Sequence, residues 1–400
     1  MFSSFSDSKV LSHLMILLYL GARLRLPASS LAFTVGIFLS MDQTGLKQSI
    51  FMRSLRREPT ERPPIWLLRQ AGRYMPEYRA IRQKVSFLEL CKNPQLAAEV
   101  TVMAVDQLGV DAGIIFADIL LPVDAMGVGL RFAQGDGPVI DNPVREIADV
   151  DKLPDFDPAE KIGYVLEAIK LFKQSKADCP LISFAGAPFT LASYLIEGGS
   201  SRNFERTKLL MHKESAAFHK LMAYLANLTV HYLKAQRTAG ADCLMLFDSW
   251  VGSLCREDYE EFVLPHSKFI FDGIKDIAPS IHFGTNTGGI IDLMAEAGGD
   301  VIGLDWRVDL AATWTAIPAL KDKCLQGNLD PCLLFAEPDL IGRRAKALVD
   351  SVGGKAGYIF NLGHGILPGT PVDNVKYLVE LVKSSAYKDG PVATLSAGKK

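Results

Sequence analysis

Arg69 and Arg73 lie on either side of Gly72, directly after an apolar stretch of the sequence. The guanidinium of arginine is a rigid fork that binds a carboxylate or phosphate through two parallel hydrogen bonds. Residues 53–84 carry nine basic and three acidic side chains, whereas the whole chain has a formal net charge of −2. The sequence therefore predicts a local site for an anionic ligand on a chain with no general attraction to nucleic acid and no stable membrane association.

Three further candidates for chemistry are Asp118, Tyr194 and His364. Asp118 follows a run of small and apolar residues, where a carboxylate serves either in catalysis or as the cap of the next helix. His364 stands between two glycines, and an imidazole there could donate to an anion or transfer a proton. A phosphate-binding loop also fits that position. Tyr194, taken alone, is more typical of a core position.

Motifs for metals, disulfides and nucleotides do not occur in the sequence. The six cysteines form no Cys-x-x-Cys pair, and no histidine belongs to a His-Glu-x-x-His motif. No Gly-x-Gly-x-x-Gly follows the first apolar run, which weakens a dinucleotide-binding interpretation. We therefore expect reduced cysteines, no metal and no cofactor.

Eight short apolar runs alternate with segments of helical periodicity. They span residues 64–68, 112–116, 181–184, 243–247, 281–283, 301–304, 324–326 and 358–360. The alternation predicts an α/β fold, a single (β/α)8 or TIM barrel, with a doubly wound sheet as the alternative. Active sites of such barrels lie at the carboxyl ends of the strands. The polar or glycine residues that follow the runs are Arg69, Asp118, Gly186, Ser249, Asn286, Asp305, Asn328 and His364.

Other local signals concern the connecting segments. Asn93 followed by proline predicts a helix start, and Gly109 predicts the end of that helix. Residues 203–240 are typical of two helices, and residues 256–278 are also helical in pattern. Residues 130–144 contain Gly-Asp-Gly, which predicts a hairpin.

The ends of the chain differ from its middle. Residues 1–50 are predicted to be an extension outside the fold, residues 51–385 a single catalytic domain, and residues 386–400 a tail. The apolar runs of the extension are shorter than the roughly 18 residues that span a bilayer. Three explanations stay open for it: translation that begins at Met41 or Met52, an organelle transit peptide, or a secretory or anchoring segment.

Five segments of the chain resemble signature sequences of the uroporphyrinogen decarboxylase family. In one-letter code they are RQAGRYMPEYR at 69–79, IFADIL at 115–120, GAPFTL at 186–191, EGGSS at 197–201 and NLGHG at 361–365. They occur in the order of the family, and the resemblance extends from Phe51 to Lys383.

The resemblance implies a (β/α)8 barrel that works without a cofactor, usually as a homodimer, in the cytoplasm. A plastid is the alternative location if residues 1–50 are a transit peptide. It implies loss of carbon dioxide from the four acetate side chains of the tetrapyrrole uroporphyrinogen III, which yields coproporphyrinogen III in porphyrin and heme biosynthesis. The substrate-binding residues that it implies are Arg69, Gln70, Ala71, Gly72, Arg73, Asp118, Tyr194, Ser249 and His364, with Phe116, Phe184 and Phe247 as apolar walls.

Elementary chemistry agrees with these implied roles. The substrate carries eight carboxylates, which suits an arginine-rich wall. Loss of carbon dioxide leaves an electron pair, and a protonated pyrrole ring can accept it. A carboxylate near the pyrrole N–H groups stabilises that cation as it forms. Asp118, as transition-state stabiliser, and Arg69 are therefore the implied catalytic residues. The proton donor stays open among an arginine, His364, Tyr194 and a bound water.

Two other functions compete with this one. A zinc-dependent corrinoid or thiol methyltransferase of the same barrel superfamily would need a His-x-Cys zinc motif, and none of the seven histidines is followed by x-Cys. A catalytically inactive tetrapyrrole-binding protein would keep the apolar walls and lose the charged residues. Arg69, Arg73, Asp118 and His364 are all present, which favours the enzyme.

Deletion of residues 1–40 should leave catalytic activity intact, because this stretch carries no strand, helix or site signal. Turnover of the full-length and shortened chains, compared at equal protein concentration, measures the effect. A large loss of turnover in the shortened chain would move the domain boundary towards the N-terminus.

Overall fold

The structure is a computed structural model that describes residues 45–133 and 137–387. The chain divides into two units, Met1–Gln48 and Ser49–Lys400, and every element given below belongs to the second. The expectations for residues 1–44, among them a targeting segment, lie outside the described residues. So does most of the predicted tail, because the description ends at residue 387.

A parallel seven-stranded sheet forms the centre of an α/β fold, in the order β1-β4-β5-β6-β7-β8-β9, and β2 and β3 form a separate antiparallel pair. Every residue of β4 and β8 is buried, as expected for a parallel sheet that is covered on its faces. The strands of the described residues are β1 (Gly113–Ile114), β2 (Leu130–Ala133), β3 (Gly137–Ile140), β4 (Leu181–Gly186), β5 (Cys243–Asp248), β6 (Ser280–Gly284), β7 (Val301–Gly303), β8 (Cys324–Leu329) and β9 (Tyr358–Leu362).

Helices connect successive strands of the sheet, as the alternation of patterns predicted. In the described part of the chain they are α1 (Ile50–Leu55), α2 (Pro76–Arg82), α3 (Phe87–Lys92), α4 (Pro94–Leu108), α5 (Leu121–Ala125), α6 (Ile147–Val150), α7 (Pro158–Lys161), α8 (Gly163–Ser175), α9 (Pro188–Glu197), α10 (Glu205–Lys213), α11 (Ser215–Ala239), α12 (Arg256–Phe262), α13 (Leu264–Ile274), α14 (Ile291–Ala297), α15 (Leu310–Ala316), α16 (Pro338–Ser351) and α17 (Val372–Ser384).

The sequence signals at helix ends are confirmed. The side chain of Asn93 accepts a hydrogen bond from the N–H of Leu96, and α4 ends at Gly109 with a φ of 65°. Residues 203–240 form the two helices α10 and α11, and residues 256–278 contain α12 and α13. The predicted hairpin is present as β2 and β3, although it is shorter than its pattern.

The run 64–68, predicted as the first strand, differs from the other seven runs. It makes one isolated parallel bridge, in which the N–H of Phe360 donates to the carbonyl of Pro64. On its other side, the N–H of Asp111 donates to the carbonyl of Ile65. The run therefore lies between β9 and the residues that lead into β1, but it does not form a ladder of its own.

Side chains accept the hydrogen bonds that a strand would give to its neighbours. The N–H of Ile65 donates to Oδ2 of Asp111 at 2.8 Å, and the N–H of Leu68 donates to Oδ1 of Asn361 at 2.9 Å. Because these donors are used by side chains, the run 64–68 has few N–H groups left for backbone pairing.

The hydrophobic core includes the run 64–68 and the strands of the sheet. Trp66, Tyr358 and Phe360 are among the largest fully buried side chains, and Nε1 of Trp66 donates to Oε1 of Gln326 at 2.9 Å. This bond satisfies a polar group that would be costly to bury alone. None of the helices in the described residues is both long and apolar enough to cross a bilayer.

Asp111→Ala should lower the free energy of unfolding by about 3 kcal/mol, because it removes the acceptor of Ile65 and the carboxylate that pairs with Arg62. The two charged side chains are only 9% and 16% exposed, so water replaces the lost partner poorly. Urea denaturation measures the effect. Asp322→Ala is the control, because Asp322 pairs with Arg57 while 86% exposed and should cost less than about 1 kcal/mol. Equal losses would contradict the role of Asp111.

Candidate active site

Arg69 leaves the run 64–68 in a left-handed backbone conformation, with a φ of 58°. The residue before it is held on both sides, because Leu68 donates to the side chain of Asn361 and accepts from the N–H of Ile366. The Arg69 side chain then lies across Gly365, where an added Cβ would come within 2.3 Å of its Cδ. The glycine after His364 is therefore needed to make room for Arg69.

The charge of Arg69 links three other predicted site residues. Burial is the largest cause of the pKa shifts of Asp118, Tyr194 and His364, and the positive charge of Arg69 lowers the pKa of all three. Such interactions are largely screened beyond about 10 Å in salt solution. The structure thus brings these four residues, from four separate parts of the chain, into one neighbourhood near the carboxyl ends of the strands.

Asp118 lies half-buried in the loop between β1 and α5. Its Oδ1 accepts a hydrogen bond from the N–H of Leu120 at 2.8 Å. Burial raises the pKa of Asp118 to about 6, against the lowering effects of that hydrogen bond and of Arg69. Helix α5 begins three residues later, and its N-cap residue Leu120 makes no side-chain cap bond, so the Asp118 carboxylate holds the turn that leads into the helix. The carboxyl group is oriented by a turn and is ionised at neutral pH.

His364 is half-buried just after β9. Burial and, to a smaller extent, the positive charges of Arg69 and Arg307 lower its pKa to about 4, while the negative charge of Asp305 opposes them. The imidazole is therefore neutral at physiological pH. In that state it offers one N–H donor and one acceptor, and it adds no charge between the two arginines.

Tyr194 on α9 belongs to an aromatic cluster. Its ring centre is 5.8 Å from that of Trp250, which is 5.4 Å from that of Phe204. Burial raises the pKa of Tyr194 to about 12, and the negative charge of Asp118 acts in the same direction. The phenol therefore stays protonated and can donate a hydrogen bond at all ordinary pH values.

A buried polar chain that we did not identify in the sequence holds this cluster. The Thr190 hydroxyl donates to Oδ1 of Asp248 at 3.2 Å and accepts from the N–H of Trp250 at 3.3 Å. Oδ2 of Asp248 lies 3.8 Å from Nε2 of His282, and all three polar side chains are fully buried. A histidine inside an apolar run, as His282 is, was the available signal.

The segment 69–73 is divided between the surface and the interior. Gln70 is fully buried, with its side chain accepting from the N–H of Leu67 and donating to the carbonyl of Ala112. Its amide therefore stabilises the turn from the protein interior and is not exposed beside the arginines. The other members are the exposed Arg69 and Arg73 and the half-buried Ala71 and Gly72.

The remaining predicted contacts are only partly grouped. Ser249 is half-buried directly after β5. The rings of Phe184 and Phe247 pack edge to face with centres 5.2 Å apart. Phe116 packs instead against Tyr78, at 5.6 Å. Two of the three predicted aromatic walls therefore contact each other, while the third belongs to a different cluster.

The comparisons with known proteins decide the family. The family model described as "Uroporphyrinogen decarboxylase (URO-D)" matches residues 46–385. The chain belongs to the uroporphyrinogen decarboxylase family. This membership agrees with the resemblance carried by the five signature segments, and it covers the whole sheet and every residue of the candidate site.

Relatives within this family are similar over nearly their full length. A uroporphyrinogen decarboxylase of Carboxydothermus hydrogenoformans is 55% identical over 334 residues, which cover 83% of this chain and 95% of that protein. One from Thermus thermophilus is 48% identical and covers 85% and 99%, respectively. Among solved structures, a methyltransferase from Methanosarcina mazei matches with a TM-score of 0.71 at 21% identity, covering 83% of this chain and 97% of that one. That likeness concerns the fold alone.

Asp118→Asn should stabilise the protein above about pH 6 but not below about pH 4. Burial raises the folded-state pKa from 3.8 to about 6, so the contribution of the carboxyl group to stability is full below pH 4 and is lost as the pH rises to 6. Asparagine removes the charge that is costly to bury. Thermal unfolding of both proteins between pH 4 and 8 measures the difference, and a difference that shrinks as the pH rises would contradict the prediction.

Proposed function

We propose that this protein is a uroporphyrinogen decarboxylase, a carboxy-lyase that removes carbon dioxide from the four acetate side chains of uroporphyrinogen III. The observation that carries the proposal is the electrostatic coupling of Arg69 to Asp118, Tyr194 and His364, in a chain that belongs to this family. A guanidinium, an ionised carboxylate, a protonated phenol and a neutral imidazole meet near one end of the sheet. This set can bind both the acidic arms and the pyrrole N–H groups of a tetrapyrrole.

Substrate binding is assigned to the exposed cations and to the groups around them. Arg69 and Arg73 are free to reach solvent, and each can bind a substrate carboxylate with two hydrogen bonds. The backbone of Ala71 and Gly72 lies between them, and Gln70 supports the turn from the interior. Ser249 and Tyr194, which come from later parts of the chain, supply hydroxyl groups. These roles follow the family motif, residue by residue.

Asp118 is assigned to the chemical step. The pyrrole ring is protonated at the α-carbon next to the carbon that bears the acetate arm. The bond to the carboxylate then breaks, and its electron pair forms an exocyclic double bond that neutralises the ring cation as carbon dioxide leaves. A second proton converts the exocyclic carbon to a methyl group, and the α-carbon loses the first proton as the pyrrole ring is restored. An ionised Asp118 beside the pyrrole N–H groups stabilises the cationic intermediate.

The pKa shifts narrow the choice of proton donor. A histidine whose pKa is lowered to about 4 is not protonated at pH 7, and a tyrosine raised to about 12 is a weak acid. His364 and Tyr194 are therefore assigned to binding. Arg69, which is close to Asp118, or a bound water is the proton donor in this proposal.

The proposal extends to the architecture and setting of the enzyme. We infer that the run 64–68 closes the sheet into an eight-stranded barrel, supported by its bonds to Phe360 on one side and Asp111 on the other. We further propose a homodimer in the cytoplasm, a domain over residues 51–385 and catalysis without a cofactor, as the family motif implies. The methyltransferase alternative is supported only by fold similarity at 21% identity.

Anaerobic incubation with chemically reduced uroporphyrin III should give four successively lighter products, ending at coproporphyrinogen III. Asp118→Asn should lower kcat by about 10²-fold, with a smaller effect on KM, because its charge acts mainly on the transition state. Asp118→Glu keeps the charge and should retain more activity than Asn. Chromatography of the oxidised products measures both variants.

Thermal unfolding of the two variants is the control for folding. Substrate that stays unchanged yet co-elutes with the wild-type protein would replace the enzyme with a tetrapyrrole-binding protein. If both variants fold and Asn equals or exceeds Glu in kcat, then Asp118 is not the electrostatic centre of the reaction.

A further inference from the structure

Arg307 is a cation near the candidate site that neither the sequence motifs nor the family resemblance drew attention to. It lies four residues after the end of β7, at the same end of the parallel sheet as His364, which follows β9. Its side chain is 47% exposed. Arg307 is therefore accessible from solvent at this end of the sheet.

The guanidinium of Arg307 is held in place by its two preceding residues. Its Nη1 donates to Oδ2 of Asp305 at 2.8 Å, and its backbone N–H donates to Oδ1 of the same carboxylate. Its carbon Cζ lies 4.1 Å from the centre of the Trp306 ring, within the range of a cation–π contact. Asp305 is only 2% exposed and also accepts from the N–H of Asn286, so it is itself fixed.

Close backbone packing joins the loop of Asp305, Trp306 and Arg307 to the loop that carries His364. A Cβ added to Gly363 would come within 2.4 Å of the backbone nitrogen of Trp306, so only glycine allows the two loops to approach this far. The rings of Trp306 and His364 meet edge to face with centres 6.4 Å apart. The positive charges of Arg69 and Arg307 both lower the pKa of the His364 imidazole.

Arg307 keeps hydrogen-bond donors that a ligand can use. Among the described residues, the hydrogen bonds of its side chain go only to Asp305, through Nη1. The Nε and Nη2 donors point away from that bond and can make a two-fold contact with another carboxylate. Because the Arg307 side chain is 47% exposed, a ligand can reach these donors from solvent.

We propose that Arg307 binds a carboxylate arm of the tetrapyrrole substrate, across His364 from Arg69, and that Asp305 and Trp306 position its guanidinium for this contact. The inference rests on the proposed function, because it names a residue of the same site. In this arrangement two loops bind the substrate with its eight carboxylates. One loop follows the run 64–68 and the other follows β7. The neutral His364 adds no further positive charge beside the two cations.

The test compares variants that separate charge, shape and packing. Arg307→Met keeps an apolar stem over Trp306 and removes the donors, whereas Arg307→Lys keeps the charge without the fork. Arg307→Met should raise KM for uroporphyrinogen III by about tenfold with kcat changed less than about threefold, as expected for the loss of a charged hydrogen bond to a non-reacting arm. Arg307→Lys should fall between Met and wild type.

A matched control removes the same charge elsewhere. Arg344 is exposed on α16, outside the loops that carry the candidate site, and Arg344→Met should leave KM unchanged. Asp305→Asn should also raise KM, because it releases the guanidinium. Combined with Arg307→Met it should add little, since both changes remove one contact. Thermal unfolding of every variant excludes loss of the fold as the cause.

Equilibrium binding of the oxidised, non-reacting porphyrins identifies the arm. If Arg307→Met weakens uroporphyrin III and coproporphyrin III equally, Arg307 binds a propionate. If it weakens only uroporphyrin III, Arg307 binds an acetate. Either result supports the proposal. Unchanged KM and unchanged porphyrin binding in a folded Arg307→Met protein would overturn it, while an inactive wild-type enzyme would overturn the proposed function instead.

Discussion

The guanidinium of Arg69 is the group on which the other site residues depend. It lies across Gly365, and its charge acts on a carboxyl, a phenol and an imidazole that are far apart in sequence. An exposed cation of this kind has value for a polyanionic ligand only if its direction is fixed. The left-handed turn at Arg69 and the two hydrogen bonds to Leu68 supply that fixation.

Burial sets the charge state of the groups around Arg69 in two opposite ways. It raises the pKa of Asp118 to about 6 and lowers that of His364 to about 4. At neutral pH the result is an ionised carboxylate at Asp118 and a neutral imidazole at His364. An ionised, half-buried Asp118 lowers the free energy of unfolding, as is usual for a pre-organised electrostatic site.

The support of the site comes from contacts that join distant loops. Thr190 and Asp248 hold the turn that carries Trp250, and so fix the aromatic neighbour of Tyr194. Asp305 holds Arg307 in the same manner. In each case a buried carboxylate at or just after a strand end accepts a side-chain hydrogen bond, from Thr190 on α9 or from Arg307 in a loop, and so holds that side chain against the rigid sheet.

The sequence by itself determined the alternation of strands and helices, because periodicity and helix caps are local properties, as Asn93 and Gly109 demonstrate. It also placed Arg69, Asp118 and His364 at strand ends. Tertiary structure alone decided that the run 64–68 forms no ladder, that Gln70 is buried, and that Arg307 stands beside His364. These outcomes depend on hydrogen bonds and charges between residues far apart along the chain, such as Leu68 and Asn361, which are separated by 293 positions. No local pattern encodes such a pair, since it exists only once the sheet has brought both loops together.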